Sequence, residues 1–438
     1  MEFKNLKEIT TKIASGSTPR GGKNSYTDSG PIALIRSQNI YNNNFTRNGL
    51  VYINNEQAKK LSNVEINKDD ILINITGDSV ARVTMVDSTV LPARINQHVM
   101  ILRPEESMVN KYYLLAYLSS NIAQESLKHL ASDGATRAAL TKRDLETFKI
   151  PNLSFENQEY IGNLLKYINK KIEVNKNIIA NLEELSQTLF KRWFVDFEFP
   201  DENGNPYKSS GGEMIDSELG NIPRDWEVNE LGNYVDIIKG LSYKGAFLDK
   251  QHERSDSFPL LSISNFNFIS GFKSNKTKYY FGDYKERHLV NPGDILIAAT
   301  DLTQDRKILG APAIIPNLNK TMIFSLDVFK ITETTIPKYV LYFLLQSAKY
   351  REFVEGSATG TTVIRIAKNV ILKVPIVIDK DISLKFDNLI KPYMEKIEHL
   401  SQENQKLTQL RDTLLPKLMS GEIEIPDDIE VNEDELSI

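Results

Sequence analysis

The 438-residue chain has no cysteine, which excludes disulfides and thiolate zinc sites. Histidine is scarce: His98, His129, His252, His288 and His399 lie far apart, without ligand-like spacing, so no structural metal is expected. Long apolar runs are missing. The opening MEFKNLKEITTKIASG carries no signal-peptide core, and a run such as Tyr339 to Leu345 falls well short of the roughly 20 residues that span a bilayer. A soluble, cytoplasmic protein is expected. Also absent are a GxxxxGK[ST] phosphate loop, a GxGxxG run, and Asn or Asp followed by Pro-Pro-Tyr or Pro-Pro-Phe. Nucleotide hydrolysis, dinucleotide chemistry and amino-methyl transfer are therefore not expected of this chain.

An excess of positive charge is lacking as well, since the net charge is −5. Its distribution changes the picture. Residues 1–153 and 227–378 each carry 19 Lys+Arg against 15 Asp+Glu, whereas 194–226 carries 2 against 8 and 421–438 carries 0 against 8. Two mildly basic blocks are compatible with an electrostatic footprint on nucleic acid, and the acid is confined to a linker and a tail that reads as solvated. The length suits two cores of about 130 to 160 residues with material between them.

The chain repeats itself at an offset of about 224 residues. NKDDILINITGD (67–78) faces NPGDILIAATDL (291–302), KYYLLAYLSS (111–120) faces KYVLYFLLQS (338–347), and the Ile-Pro at 150–151 faces Val-Pro at 374–375. Each half begins with a turn-rich stretch, SGSTPRGG (15–22) or KGLSYKG (239–245). Strand-like runs follow, then an alternating DILI strand, a helix, and a last strand ending in proline. The acidic pairs Asp69-Asp70 and Asp427-Asp428 are read as a turn before a strand and as part of the tail, not as metal ligands.

After each proline comes a long helix with a narrow apolar seam. Ile161, Leu165, Ile168, Ile172, Asn175, Ile179, Leu182, Ser186 and Leu189 form the first; Phe386, Ile390, Tyr393, Ile397, Leu400, Asn404, Leu407 and Leu414 form the second, with Arg411 a weak member between the last two. Steps alternating between three and four residues are a heptad seam, and a lone asparagine in each fixes register at a cost in stability. Such seams fit two helices that pair with each other. The expected class is α+β: two pseudo-repeated globular domains (1–153 and 227–378) separated by two long helices (154–193 and 379–420) forming an antiparallel coiled coil. An acidic linker (194–226) and an acidic tail (421–438) complete the chain.

DSELGNIPRDWEV (216–228) and LRDTLLPKLMSGEI (410–423), together with the duplicated layout, resemble the specificity subunits of Type I restriction-modification systems over essentially the whole chain. The resemblance implies two target-recognition domains, each reading half of a split double-stranded DNA sequence, and two helices acting as spacer. It also implies partners: two modification subunits that use S-adenosylmethionine to methylate adenine, and restriction subunits that use ATP and Mg. It places no cofactor on this chain.

Base reading needs paired donors and acceptors, Arg or Lys for guanine and Asn or Gln for adenine, while phosphate contacts draw on hydroxyls, cations and free amides. In the first domain the candidates are Ser17, Thr18, Arg20 and Lys23 in the opening turn, Arg36, Ser37, Gln38 and Asn39 after IALI, and Thr76 and Arg82 after DILI. Arg94, Asn96 and Gln97 in PARINQH follow, with Ala135, Thr136 and Arg137 in a late loop. The second domain offers Ser242, Tyr243 and Lys244; Ser262, Ser264 and Asn265; Thr300, Gln304, Arg306 and Lys307; and Thr359, Gly360, Thr361, Thr362 and Arg365. SQN against SNF and GDSVARV against DLTQDRK point to different half-targets on a shared scaffold. Two other readings stay open: a scaffold that docks proteins without touching DNA, and a self-sufficient restriction enzyme, which the missing motifs disfavour.

The seam from Ile161 to Leu189 makes 28 residue steps, about 42 Å at ~1.5 Å each. If the paired helices set the distance between half-targets, one heptad added to both at matched positions lengthens the spacer by about 10 Å, or roughly three base pairs. Mapping methylated adenines for wild type and insertion variant checks this; an unchanged spacer would show that the helices are not the ruler.

Overall fold

The computed structural model describes residues 2–132, 138–274 and 277–425, without the side chain of Lys23. It divides into two compact units: residues 1–176 with 401–438, and residues 177–400.

In the first unit an antiparallel sheet runs in the order Thr10–Ser15, Val99–Pro104, Ile71–Asn74 and Val83–Met85. A second sheet places Ile32–Ile35 between Val51–Ile53 and Ala93–Ile95, with Ile32–Ile35 parallel to Ala93–Ile95. The DILI strand has no solvent face. Its side chains alternate with the period-2 geometry of a strand: Ile71 and Ile73 enter a core shared with the helices, while Leu72 enters a second core with Leu34, Ile35 and Ile95.

The helix Lys111–Ser119 starts where Asn110 caps it, the side-chain oxygen accepting from the Tyr112 and Tyr113 amides at 3.0 and 3.2 Å. It buries Tyr113, Leu114, Leu115, Ala116 and Leu118. The buried Tyr113 hydroxyl donates to the Pro151 carbonyl at 2.8 Å, and burial pushes its pKa up. Asp69 and Asp70 are structural, as expected. Asp70 accepts from Arg103 at 2.7 and 2.8 Å and from the Asn67 amide, while Asp69 pairs with Lys111 at 2.7 Å.

The second unit repeats this plan. Its first sheet runs Val235–Lys239, Val328–Thr334, Ile295–Ala298, Pro312–Ile314, and its second sets Phe258–Leu261 parallel to Met322–Phe324. Ile295 and Ile297 face the helices, while Leu296 and Ala298 face the second core. Asp294 accepts from the Asn291 amide at 2.9 Å, as Asp70 does from Asn67. Both units also tie their first strand to the strand that ends the domain: Phe3–Asn5 pairs with Lys149–Pro151, and Val228–Glu230 with Pro375–Val377.

The long helices span Phe155–Phe194 and Lys380–Ser420. In the first unit they run antiparallel. Asn175 donates to Glu403 at 2.6 Å and to Asn404 at 3.0 Å, and Arg411 donates to Asn169 at 3.2 Å, so residue numbers rise on one helix as they fall on the other. Ile161, Leu165, Ile168, Ile172 and Asn175 are buried; Asn404, Leu407 and Leu414 are half-buried. In the second unit Phe386, Ile390 and Leu400 are buried, Ile179, Leu182, Leu189, Tyr393 and Ile397 are half-buried, and Phe386 meets Phe190, Trp193 and Phe194 edge-on at 5.3 to 5.8 Å.

Residues 194–226, read from their charge as a linker, are packed. Phe199 stacks between Trp226 (5.1 Å) and Tyr207 (4.7 Å), Phe197 meets Trp226 edge-on, and Phe197, Phe199 and Trp226 are buried in the core of the second unit. The aromatic side chains decide this, because each buries a large apolar area while the carboxylates remain at the surface.

Trp193 and Trp226 are the chain's two tryptophans, and both belong to the second unit. Tryptophan fluorescence therefore follows that unit's unfolding. Phe386→Ala should lower its stability by about 3 to 5 kcal/mol, read as a lower denaturant midpoint at unchanged slope.

Candidate nucleic-acid interface

The strand pairings bring the segments that follow several strands to one edge of each unit. In the first, the parallel pair Ile32–Ile35 and Ala93–Ile95 ends on the same side. Antiparallel pairing sets Ser15 beside Met100 and Asn74 beside Val99, so two further strand ends meet the start of Val99–Pro104. The opening turn, the Arg36 loop, Thr76 and the Asn96–Gln97 turn thus share an edge. In the second unit Leu261 pairs with Phe324, Lys239 with Phe329 and Ala298 with Val328, which makes the equivalent edge. The late hairpin joins it, since Thr300 pairs with Arg365.

At the first edge Ser17, Thr18, Arg20, Gln38 and Gln97 are exposed, while Arg36, Ser37, Thr76 and Arg82 are half-buried. The Arg36 guanidinium lies 5.5 Å from the Tyr26 ring centroid and donates to the Gly49 carbonyl, which Gln38 also reaches at 3.1 Å. Arg82 sits over Tyr41 at 4.8 Å. The Ser37 carbonyl accepts from Asn74 at 2.9 Å. A hydrogen-bonded chain links three candidates through a residue the sequence reading passed over: the Thr18 hydroxyl donates to the Gln97 side-chain oxygen, the Gln97 amide nitrogen lies 2.9 Å from His98 Nε2, and Thr76 Oγ1 lies 2.7 Å from His98 Nδ1.

Three candidates of the first domain prove to be scaffold. Asn39 is buried, accepts from the Arg36 amide at 3.0 Å and donates to the Thr46 and Asn48 carbonyls. Arg94 is buried, donating to the Ala58 and Ala93 carbonyls with Glu65 at 3.4 Å. Asn96 is buried and accepts from the His98 amide. Reading DNA would require leaving these buried donors and acceptors unpaired, which costs more than a typical hydrogen bond returns. Ala135, Thr136, Arg137 and the side chain of Lys23 lie outside the described residues.

At the second edge Ser242, Lys244, Gln304, Lys307, Thr359, Gly360, Thr361, Thr362 and Arg365 are exposed. Tyr243 is half-buried and accepts from Lys278 at 3.0 Å. Gln304 donates to the Thr361 carbonyl at 2.6 Å, Arg306 reaches the Glu355 carbonyl, and Lys307 lies 5.8 Å from the Phe268 ring. In the hairpin Thr359 and Arg365 bond each other's backbones at 2.8 and 2.9 Å. Gly360 has φ +103°, and a Cβ there would stand 2.2 Å from the Val363 carbonyl oxygen, so the turn requires glycine.

Ser262, Asn265 and Thr300 are buried. Ser262 Oγ lies 2.8 Å from that of half-buried Ser264. Asn265 repeats the role of Asn39: it accepts from the Ser262 amide at 3.0 Å and donates to the Lys273 carbonyl and the Thr277 hydroxyl. The two asparagines therefore occupy equivalent places in the repeat and hold its loops in the same way. Among the described residues there is no cluster of three or more His, Cys, Asp or Glu side chains able to hold a metal ion, and no helix long and apolar enough to cross a membrane.

The chain is similar to known proteins over most of its length. Residues 1–184 match the family model described as the Type I restriction modification DNA specificity domain. The chain is 27% identical over 431 residues to the Type I restriction enzyme MjaIX specificity subunit of Methanocaldococcus jannaschii, covering 97% of this chain and 94% of that one. It is 23% identical to the HindI specificity subunit of Haemophilus influenzae, covering 90% and 94%. The crystal structure of the Type-I restriction-modification system S subunit from M. genitalium has the same fold, with TM-score 0.57, 14% identity and 95% of each chain covered.

Asn39→Ala and Asn265→Ala should each destabilise the protein by about 1 to 3 kcal/mol, the cost of leaving buried groups unpaired. Gln38→Ala should stay within about 0.5 kcal/mol of wild type, as surface substitutions do. Thermal melts of the three variants check the division between scaffold and edge.

Proposed function

We propose that this chain, similar over most of its length to specificity subunits of Type I restriction-modification systems, is itself such a subunit, reads a bipartite DNA target with two domains, 1–153 and 227–378, and recruits methyltransferase and restriction subunits to it. The chain is the non-catalytic subunit of such a complex; S-adenosylmethionine, ATP and Mg serve the partners. The helices 154–193 and 379–420 act as the spacer on which the modification subunits assemble.

The observation that carries the reading is the duplicated edge. In each unit, loops following several strands meet on one side with exposed hydroxyl, amide and cationic side chains, while the equivalent buried asparagines hold the loops in shape. Phosphate contacts then come from Thr18, Arg20, Ser242, Lys244 and the Thr359–Thr362 hairpin, and base contacts from amides and guanidinium groups at the same edges. A scaffold that docks proteins alone would have no use for two edges differing in their exposed polar side chains while sharing their buried ones.

The test is reconstitution with the modification subunits and S-adenosylmethionine. Adenine methylation should appear at a split motif, DNA binding should weaken steeply with salt, and the chain alone should not methylate. Exchanging residues 1–153 for those of a relative should change one half of the motif and leave the other intact. Salt-insensitive binding without a motif would favour the protein scaffold.

A further inference from the structure

Between the second and first sheets of each unit runs a four-residue turn, Asn96–Val99 in the first and Ser325–Val328 in the second, held by the same four backbone bonds. The Val99 amide donates to Asn96, Gly16 to Val99, Ile75 to His98 and Asn96 to Ile35, at 3.0 to 3.2 Å; the Val328 amide donates to Ser325, Gly240 to Val328, Ala299 to Asp327 and Ser325 to Leu261, at 2.8 to 3.2 Å. The glycines press on the turn from beneath. A Cβ on Gly16 would stand 2.1 Å from the Ile95 carbonyl oxygen, and one on Gly240 would stand 2.2 Å from that of Ser325. Gln97 and Leu326 therefore occupy one position of a duplicated turn that joins the two sheets of each unit, and both are exposed.

What the two side chains meet differs in a telling way. Gln97 is anchored from both ends of its amide, by Thr18 on the oxygen and by His98 Nε2 on the nitrogen, and His98 is itself held by Thr76. An amide has two N–H groups and two oxygen lone pairs, so this anchoring fixes the amide plane and still leaves one donor and one acceptor free. In the copy, Asp327 stands where His98 does, and the tip is Leu326, a large apolar side chain 46% exposed on a turn that nothing else requires to be apolar.

We infer that this turn is a base-reading tip in each domain: Gln97, oriented by His98, reads an adenine through the paired donor and acceptor of its amide, and Leu326 reads a thymine through its methyl group. The inference rests on the DNA-recognition reading above. An adenine presents N6–H and N7 to an amide in the major groove, whereas thymine is the base with an apolar group there. A polar reader needs its plane fixed beforehand because ordering it on binding costs entropy. An apolar one needs no such partner. His98 is then a positioning residue.

The experiment uses the full chain assembled with its modification subunits, S-adenosylmethionine, and a plasmid library whose methylated adenines are mapped. Wild type should give one motif; absence of any motif overturns the DNA-recognition reading and this inference together. With a motif in hand, Gln97→Ala should relax a single A·T position in the half set by residues 1–153, by about tenfold or more. His98→Leu should relax the same position, and the double variant should be no worse than Gln97→Ala. Leu326→Ala should relax one T·A position in the other half. Replacing that thymine with uracil should slow methylation by wild type and leave Leu326→Ala unaffected. An unchanged motif in Gln97→Ala, or an equal loss at every site, overturns the assignment to adenine; because Gln97 is exposed, that variant decides the matter even where His98→Leu lowers the melting temperature.

Discussion

Burial of both faces of one strand governs each unit. Ile71–Asn74 and Ile295–Ala298 send alternate side chains into two separate cores, so neither has a solvent face onto which it could slip. A one-residue shift would exchange the two sets and ruin both cores. With that register fixed, the partner strands are fixed as well, and the loops that follow them arrive at one edge. The shared edge is thus a consequence of core packing: with the strands in register, the position of the loops that leave them is set, whatever side chains those loops carry.

Polar side chains in the repeat divide by burial. Asn39 and Asn265 are buried, bonded at both ends of the amide and equivalent between units; Gln38, Gln97 and Gln304 are exposed and have no such correspondence. The same chemical group serves as framework where solvent is excluded and stays open to solvent where it is not. Asn175 belongs to the first kind. Buried in a helix pair, its amide is satisfied by Glu403 and Asn404, and an apolar residue there would allow shifts that this bonded node forbids.

The acidic segment 194–226 shows how charge and packing decouple. Its eight carboxylates do not prevent Phe197, Phe199 and Trp226 from joining the core of the second unit, because stacked rings bury their faces while the intervening carboxylates remain in water. A sequence read by charge calls such a segment a linker; read by aromatic spacing, FVDFEFP followed by a tryptophan is an anchor.

Sequence alone determined what depends on repetition and period. The duplication, the DILI strands, the long helices with their asparagines and the loops that bear polar residues were all legible, because a backbone period and a repeat unit are written in consecutive positions. Tertiary structure decided which polar residues are available. Asn39, Arg94, Asn96, Ser262, Asn265 and Thr300 look like readers in sequence but are buried, and His98, Tyr26 and Tyr41 gain importance through neighbours distant in the chain. The reason is physical. An amide or guanidinium has the same donors and acceptors wherever it occurs, and whether they face solvent or a buried carbonyl is settled only when strands remote in sequence close around it.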